Sequence, residues 1–83
     1  MYYVYLLKSK QNGKLYTGFT TDLRSRLKKH QNKGVYTTKR MGMIELVYYE
    51  AFKSRLDARR REIYLKTTKG KRTLKLMLKD SLT

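Results

Sequence analysis

Two short runs, Tyr2-Tyr3-Val4-Tyr5-Leu6-Leu7 and Leu15-Tyr16-Thr17-Gly18-Phe19-Thr20, flank Gln11-Asn12-Gly13-Lys14 and leave this chain little freedom at its start. Aromatic and β-branched side chains pack well on a pleated surface, and Asn-Gly adopts the positive φ values of a tight turn, so the pattern predicts a β-hairpin. Parity places Tyr5 and Tyr16 on one face of it. A two-residue loop at Asn12-Gly13 offsets the two rings by four residues, about 13 Å along the strand. A looser loop sets them opposite one another at about 5 Å. A site shared by both rings requires the looser pairing, or a bulge that achieves it.

Helix signals follow. Thr20, Thr21 and Asp22 offer N-cap side chains and Gly34 a left-handed stop, predicting a first helix over residues 23–33. On it Leu23, Arg26, Leu27 and His30 fall within one arc of about 100°, facing or flanking the sheet. A polar loop from Gly34 to Gly42 carries Lys39 and Arg40, and Ile44 to Phe52 reads as a third strand with apolar residues on both parities, as if covered on both faces. Ser54-x-x-Asp57 is a capping box opening a helix to about Lys66. A last helix is predicted from about Gly70 to Asp80 with Leu74, Met77 and Leu78 inward. Without proline, repeat or low-complexity run, residues 1–83 are expected to form one α+β domain, a three-stranded antiparallel sheet flanked by about three helices.

Composition narrows the function. Cysteine is absent and histidine occurs once, which excludes a disulfide framework and Cys/His zinc sites. Against 6 acidic residues stand 21 basic ones, a formal charge of +15, and the natural compensation for such self-repulsion is a polyanion. Nucleic acid leads. An anionic membrane calls for a strongly amphipathic basic helix that the chain lacks. The apolar stretch Tyr2 to Leu7 is too short for a secretion leader or a bilayer span, so a cytoplasmic location is expected.

Tyr3-Val4-Tyr5, ten residues, then Tyr16-Thr17-Gly18 and the helix after them resemble the GIY-YIG nuclease superfamily, and most of all its short stand-alone bacterial members. In that family an essential arginine lies eight residues after the second triplet's glycine, which here is Arg26, with His30 one turn later where members carry a tyrosine or histidine. A later-helix glutamate ligates the metal, and Glu62 is the matching residue. The resemblance spans Tyr3 to about Leu78. Two departures stand out: Tyr3 occupies the position of the family's first glycine, and no asparagine follows Glu62.

The chemistry implied is hydrolysis of a DNA phosphodiester with one divalent metal. Mg²⁺ (or Mn²⁺) keeps most of its waters and is commonly held by one or two carboxylates plus substrate phosphate, so Glu62 alone suffices. The helix period turns Glu62 inward with Ala58 and Leu65, and sets Leu56 and Ile63 on another, also apolar, side. Its ordinary alternative is an i, i+4 pair with Lys66. Arg26 is read as the phosphate-binding fork, the alternative being a pair with Asp22 one turn earlier. Tyr5 is read as general base or water-orienting group with Tyr16 as its hydrogen-bonding partner, roles that the sequence leaves exchangeable. With an ordinary phenol pKa near ~10, about one tyrosine in a thousand is ionised at neutral pH, and Arg26, the cationic surplus and Mg²⁺ are expected to favour the phenolate. His30 is either a catalytic or phosphate-contacting group or a satisfied structural residue. Gly18 allows close approach or relieves crowding. Lys39, Arg40, Lys69, Lys71 and Arg72 are candidate backbone contacts. Base specificity is not encoded in phosphate contacts and falls to DNA shape or a protein partner; RNA is an open alternative to DNA. The rival reading is a non-catalytic nucleic-acid-binding module on the same fold.

Overall fold

The computed structural model describes residues 1–32 and 42–83, so the expectations for Lys39, Arg40 and the Gly34 stop lie outside the described residues, while the first helix, expected to reach Lys33, ends at Gln31 because Asn32 caps it. Within them the order is β1 (Tyr2–Ser9), β2 (Leu15–Thr20), α1 (Leu23–Gln31), β3 (Ile44–Phe52), α2 (Arg55–Leu65) and α3 (Thr68–Met77). The sheet is antiparallel in the order β2-β1-β3. It is the predicted α+β arrangement of three strands and three helices.

The most apolar strand is the central one. Val4, Tyr5, Leu6 and Leu7 are all buried, because β1 is covered on both faces. Val4 and Leu6 join Ala58, Leu65, Leu74 and Leu78 in the core beneath α2 and α3, with Phe19, Val47 and Phe52 packed against it. Tyr5 faces the other way, toward α1. β3, expected to be covered on both faces, is an edge strand with no buried residue, and Tyr49 on its α1 side is 52% exposed. A register shift against β1 between Leu6 and Leu7 leaves Val47 as its extra residue.

The hairpin closes differently from the two-residue turn. Ser9 N–H donates to the Lys14 carbonyl at 2.9 Å and Gly13 N–H to the Ser9 carbonyl at 3.0 Å, enclosing a four-residue loop with Gly13 at φ 74°. The buried Ser9 Oγ accepts from Gln11 N–H at 3.3 Å, which starts the turn earlier than Asn-Gly alone would. Tyr5 therefore opposes Gly18 and Leu7 opposes Tyr16, a pairing between the two considered above. The phenols end up diagonal neighbours on one face, their ring centroids 6.3 Å apart, so neither the looser pairing nor a bulge in β2 is required.

Side-chain caps set each helix start: Asp22 accepts from Ser25 N–H, Ser54 from Asp57 N–H and Thr67 from Gly70 N–H. Thr67 explains why α3 begins before Gly70, and it stops at Met77 rather than Asp80, with Leu74 and Leu78 inward but Met77 exposed. α2 is held on one face only, since Leu56 and Ile63 are 63% and 62% exposed. Its rotation is fixed from two directions. Arg61 grips Glu50 of β3 through Nε and Nη2 at 2.8 and 3.1 Å, while Arg59 lies 5.0 Å from the centroid of Phe19 on β2. Tyr48 donates to the same Glu50 at 2.6 Å, and burial together with that carboxylate pushes the Tyr48 phenol up to about 12. With Arg61 held outward to β3, Glu62 one residue on turns to the sheet.

Gly18 has a specific task. A Cβ there would stand 2.3 Å from Cζ and Oη of Tyr5, so the tyrosine ring lies across the strand where a side chain would be. Gly18→Ala is expected to destabilise the fold by about 1–3 kcal/mol through this overpacking, lowering the melting temperature by roughly 5–20 °C. Most of that loss should vanish when Gly18→Ala is combined with Tyr5→Leu; an equal loss in both backgrounds, measured by thermal melts, contradicts the contact.

Candidate active site

The Tyr5 ring crosses Gly18 toward the open β2 edge, and three groups gather on it. Its hydroxyl lies 2.8 Å from Nε2 of His30, which the last turn of α1 turns inward and buries at 1% exposure. Arg26, one turn earlier on the same side of α1, brings its guanidinium charge up to the Tyr5 hydroxyl, and the buried Arg26 Nε–H has no partner. Tyr16 completes the cluster from β2: its ring centroid is 6.3 Å from that of Tyr5 and 5.3 Å from that of His30.

Electrostatics sort these groups. Burial pushes the Tyr5 phenol above its ordinary value, and although the Arg26 guanidinium pulls the other way, burial with the Tyr16 and Glu62 charges prevails. The expected drift toward phenolate is therefore reversed, because a site dry enough to hold Tyr5 also penalises its anion. Burial and the Arg26 charge push His30 below its ordinary value, so its imidazole is neutral at neutral pH. A protonated phenol donates to a neutral imidazole, giving Tyr5 O–H to His30 Nε2 with the His30 proton on Nδ1 and the Arg26 guanidinium beside the phenol. Asp22, the alternative partner for Arg26, spends its carboxylate on Ser25 N–H at 3.1 Å, and Arg26 takes part in none of the ion pairs among the described residues.

Glu62 is the buried acid of the described residues, at 7% exposure, and its charge reaches Tyr5. Both carboxylate oxygens are held: Arg59 at 3.0 Å on Oε1 and Lys66 at 2.9 Å on Oε2. The i, i+4 pair with Lys66 is thus real, and Arg59 adds a second clamp. Both cations are about half exposed, 48% and 52%, so either can swing into solvent at small cost. Among the described residues no group of three or more His, Cys, Asp or Glu is placed to hold a metal. One buried carboxylate is a donor set suited to a hard ion that keeps its waters, and unsuited to zinc.

A groove of about 630 Å³ passes the β2 edge, lined by Tyr16, Thr17, Lys14, Lys66, Lys71 and Lys75 among others. Lys66 also grips Glu62, and the half-buried Tyr16 also packs on Tyr5 and His30, so these two lining residues connect the groove to the carboxylate and to the cluster, whose other members are not on its lining. Among the described residues, Lys71 is the one predicted basic contact on this groove. Arg72 lies with Lys71 and Lys75 on an adjoining shallow depression, and Lys69 is an exposed residue away from it. Lys14 and Lys75 were not singled out by sequence. The i, i+4 spacing of Lys71 and Lys75 was a usable signal, but the position of Lys14 depends on the hairpin register.

A fold with this cluster at its sheet edge belongs with the GIY-YIG proteins, and the GIY-YIG catalytic domain profile matches residues 1–75. The chain belongs to that family. It is 40% identical to a UPF0213 protein of Clostridium perfringens over 99% of this chain and 88% of that one. A UPF0213 protein of Staphylococcus haemolyticus is 42% identical over 92% and 93%. A UPF0213 protein of Bacillus halodurans, solved in solution by NMR, shares 40% identity with a TM-score of 0.58, covering 93% of this chain and 85% of that one. No described helix is long and apolar enough to cross a membrane.

The His30 environment sets a pH dependence. Its folded-state pKa lies below the unfolded value of 6.5, so its stabilising share is complete above pH 6.5 and is lost as pH falls through the folded pKa. Thermal melts of the wild type should decline as pH drops from 7 to 5 more steeply than those of His30→Asn. Parallel declines would contradict a buried neutral imidazole.

Proposed function

We propose that this protein is a metal-dependent endonuclease that hydrolyses DNA phosphodiester bonds in the groove beside Tyr16. The observation that carries the reading is the convergence of Arg26, with its unpartnered buried Nε–H, on the Tyr5–Tyr16–His30 cluster beside a buried carboxylate. A buried donor without an acceptor favours an oxyanion, and the planar guanidinium fork matches a phosphate. Arg26 binds the scissile phosphate and neutralises charge as the transition state forms. Tyr5 donates to His30 with the guanidinium beside its hydroxyl, so Tyr5 and His30 are positioning residues. Tyr16, on the lining of the groove, orients the attacking water. Tyr16 thus takes the water-orienting role first assigned to Tyr5, because burial closes Tyr5 off, and the Tyr5 hydroxyl bonds His30 rather than Tyr16. Glu62 holds Mg²⁺ or Mn²⁺, which when bound supplies charge neutralisation for the phosphate and the departing oxygen.

Lys14, Lys71 and Lys75 carry the DNA backbone into the groove, and a cytoplasmic location suits such a substrate. RNA shares the phosphate chemistry and is a comparison substrate for the assays. One observation favours the second reading, a binding module without turnover: both oxygens of Glu62 are already clamped by cations.

Plasmid nicking separates the two. Glu62→Gln should abolish Mg²⁺- or Mn²⁺-dependent nicking while DNA affinity stays within about twofold, and Arg26→Ala should slow nicking by about 10²–10³. Wild type that nicks no duplex, single-stranded or branched DNA with either metal establishes the module instead. Removing one groove lysine, Lys71→Ala, should flatten the log–log dependence of DNA affinity on salt by about 0.9; an unchanged slope removes Lys71 from the contact surface.

A further inference from the structure

The departure at Tyr3 has a structural counterpart. On the α1 face of the sheet, away from the lysine groove, a cleft of about 670 Å³ opens between α1 and the β1–β3 pair. One wall is aromatic: Tyr3 and Tyr49 meet with centroids 6.2 Å apart and planes tilted at 59°, and Tyr49 is 52% exposed. The floor is Leu23 and Leu27, which remain half-buried outside the core. Arg24 and Lys28, an i, i+4 pair of cations, form the opposite rim, while the Asp22 carboxylate at the cleft is taken by the helix N-cap. Planar apolar surface facing two cations suits a ligand that is itself a flat ring joined to an anion.

Its position decides which ligand. Tyr3 stands two residues from Tyr5 on the same face of β1, about 7 Å along the strand, and Tyr49 is the cross-strand partner of Tyr5. The cleft therefore borders the Tyr5–Arg26 cluster from the β3 side, while the lysine groove passes it at the β2 edge. A paired base is stacked inside its duplex and its ring faces are not available to protein aromatics, whereas an unpaired base can stack on them.

We propose that this cleft binds an unpaired nucleobase of the substrate strand, stacked on Tyr49 and Tyr3, with the adjoining phosphate on Arg24 and Lys28. The proposal rests on the nucleic-acid reading of the neighbouring site and deepens it: substrates carrying unpaired nucleotides are favoured over uninterrupted duplex. Sequence preference would be weak, since every base offers a π-face.

Fluorescence anisotropy with the full chain, in chelator so that nothing is cleaved, tests it on two probes: a short oligothymidylate and a strand of equal length built of abasic sites. The wild type should bind the base-bearing strand roughly 5- to 150-fold more tightly. Tyr49→Ala should erase most of that preference and leave abasic-strand affinity within about twofold, and Tyr49→Phe should keep it. Because Tyr49 is half in solvent, its truncation leaves the fold intact, which a thermal melt verifies. Equal, salt-sensitive binding of both probes by the wild type overturns the stacking cleft and leaves the phosphate site standing, as does a Tyr49→Ala loss of equal size on both probes. Failure to bind either probe overturns the nucleic-acid reading as well.

Discussion

The contact between the Tyr5 ring and the bare backbone of Gly18 is the point on which the rest turns. It lets a large side chain on the central strand reach across β2 to the open edge, and there its hydroxyl meets two residues of α1. Without a glycine opposite, the ring would stay over its own strand and neither Arg26 nor His30 would have a reason to point where it does. His30 is the one fully buried residue of α1, with Leu23, Arg26 and Leu27 half-buried beside it, so hydrogen bonding joins apolar packing in positioning this helix on the sheet.

Excess positive charge shapes the molecule in an uneven way. Glu50, Asp57 and Glu62 are each gripped by arginine or lysine, and the Glu50–Arg61 pair, together with Arg59 over Phe19, fixes the roll of α2. For Glu50 burial works against ionisation, but hydrogen bonds from Arg61 and Tyr48 outweigh it and hold the carboxyl below its usual range. At Tyr5 the balance tips the other way, and desolvation wins over a neighbouring guanidinium. The same +15 surface thus stabilises a half-buried carboxylate and fails to ionise a fully buried phenol. What differs is how much water each anion would have to give up.

Elements with a local signal were legible in the sequence. The strand Ile44–Phe52 and the helix capped by Ser54 match their predicted starts because side-chain caps and alternation act within a few residues. The parity of Tyr5 and Tyr16 was legible too, since any pairing of odd total keeps them on one face. What could not be read depended on neighbours distant in the chain: the four-residue loop that Ser9 initiates, the exposure of β3 as an edge, and the idle apolar side of α2 at Leu56 and Ile63. At the candidate site, Arg26, His30 and Glu62 were singled out through family resemblance and helix period, and the fold turns each of them inward. The direction of the Tyr5 shift was missed, because burial is set by the whole fold while charge can be counted in the sequence.

The proposed chemistry requires a spatial arrangement: a guanidinium, a groove-lining phenol and one carboxylate surround a place where a hydrated metal and a phosphate fit together. Titration of Mn²⁺ into ¹⁵N-labelled protein tests this directly through paramagnetic line broadening. Amides around Glu62 and those of Tyr16 to Gly18 should broaden first and together, and Glu62→Gln should remove the effect. Broadening centred on Asp57 or Asp80, or unchanged by loss of the Glu62 charge, would contradict it.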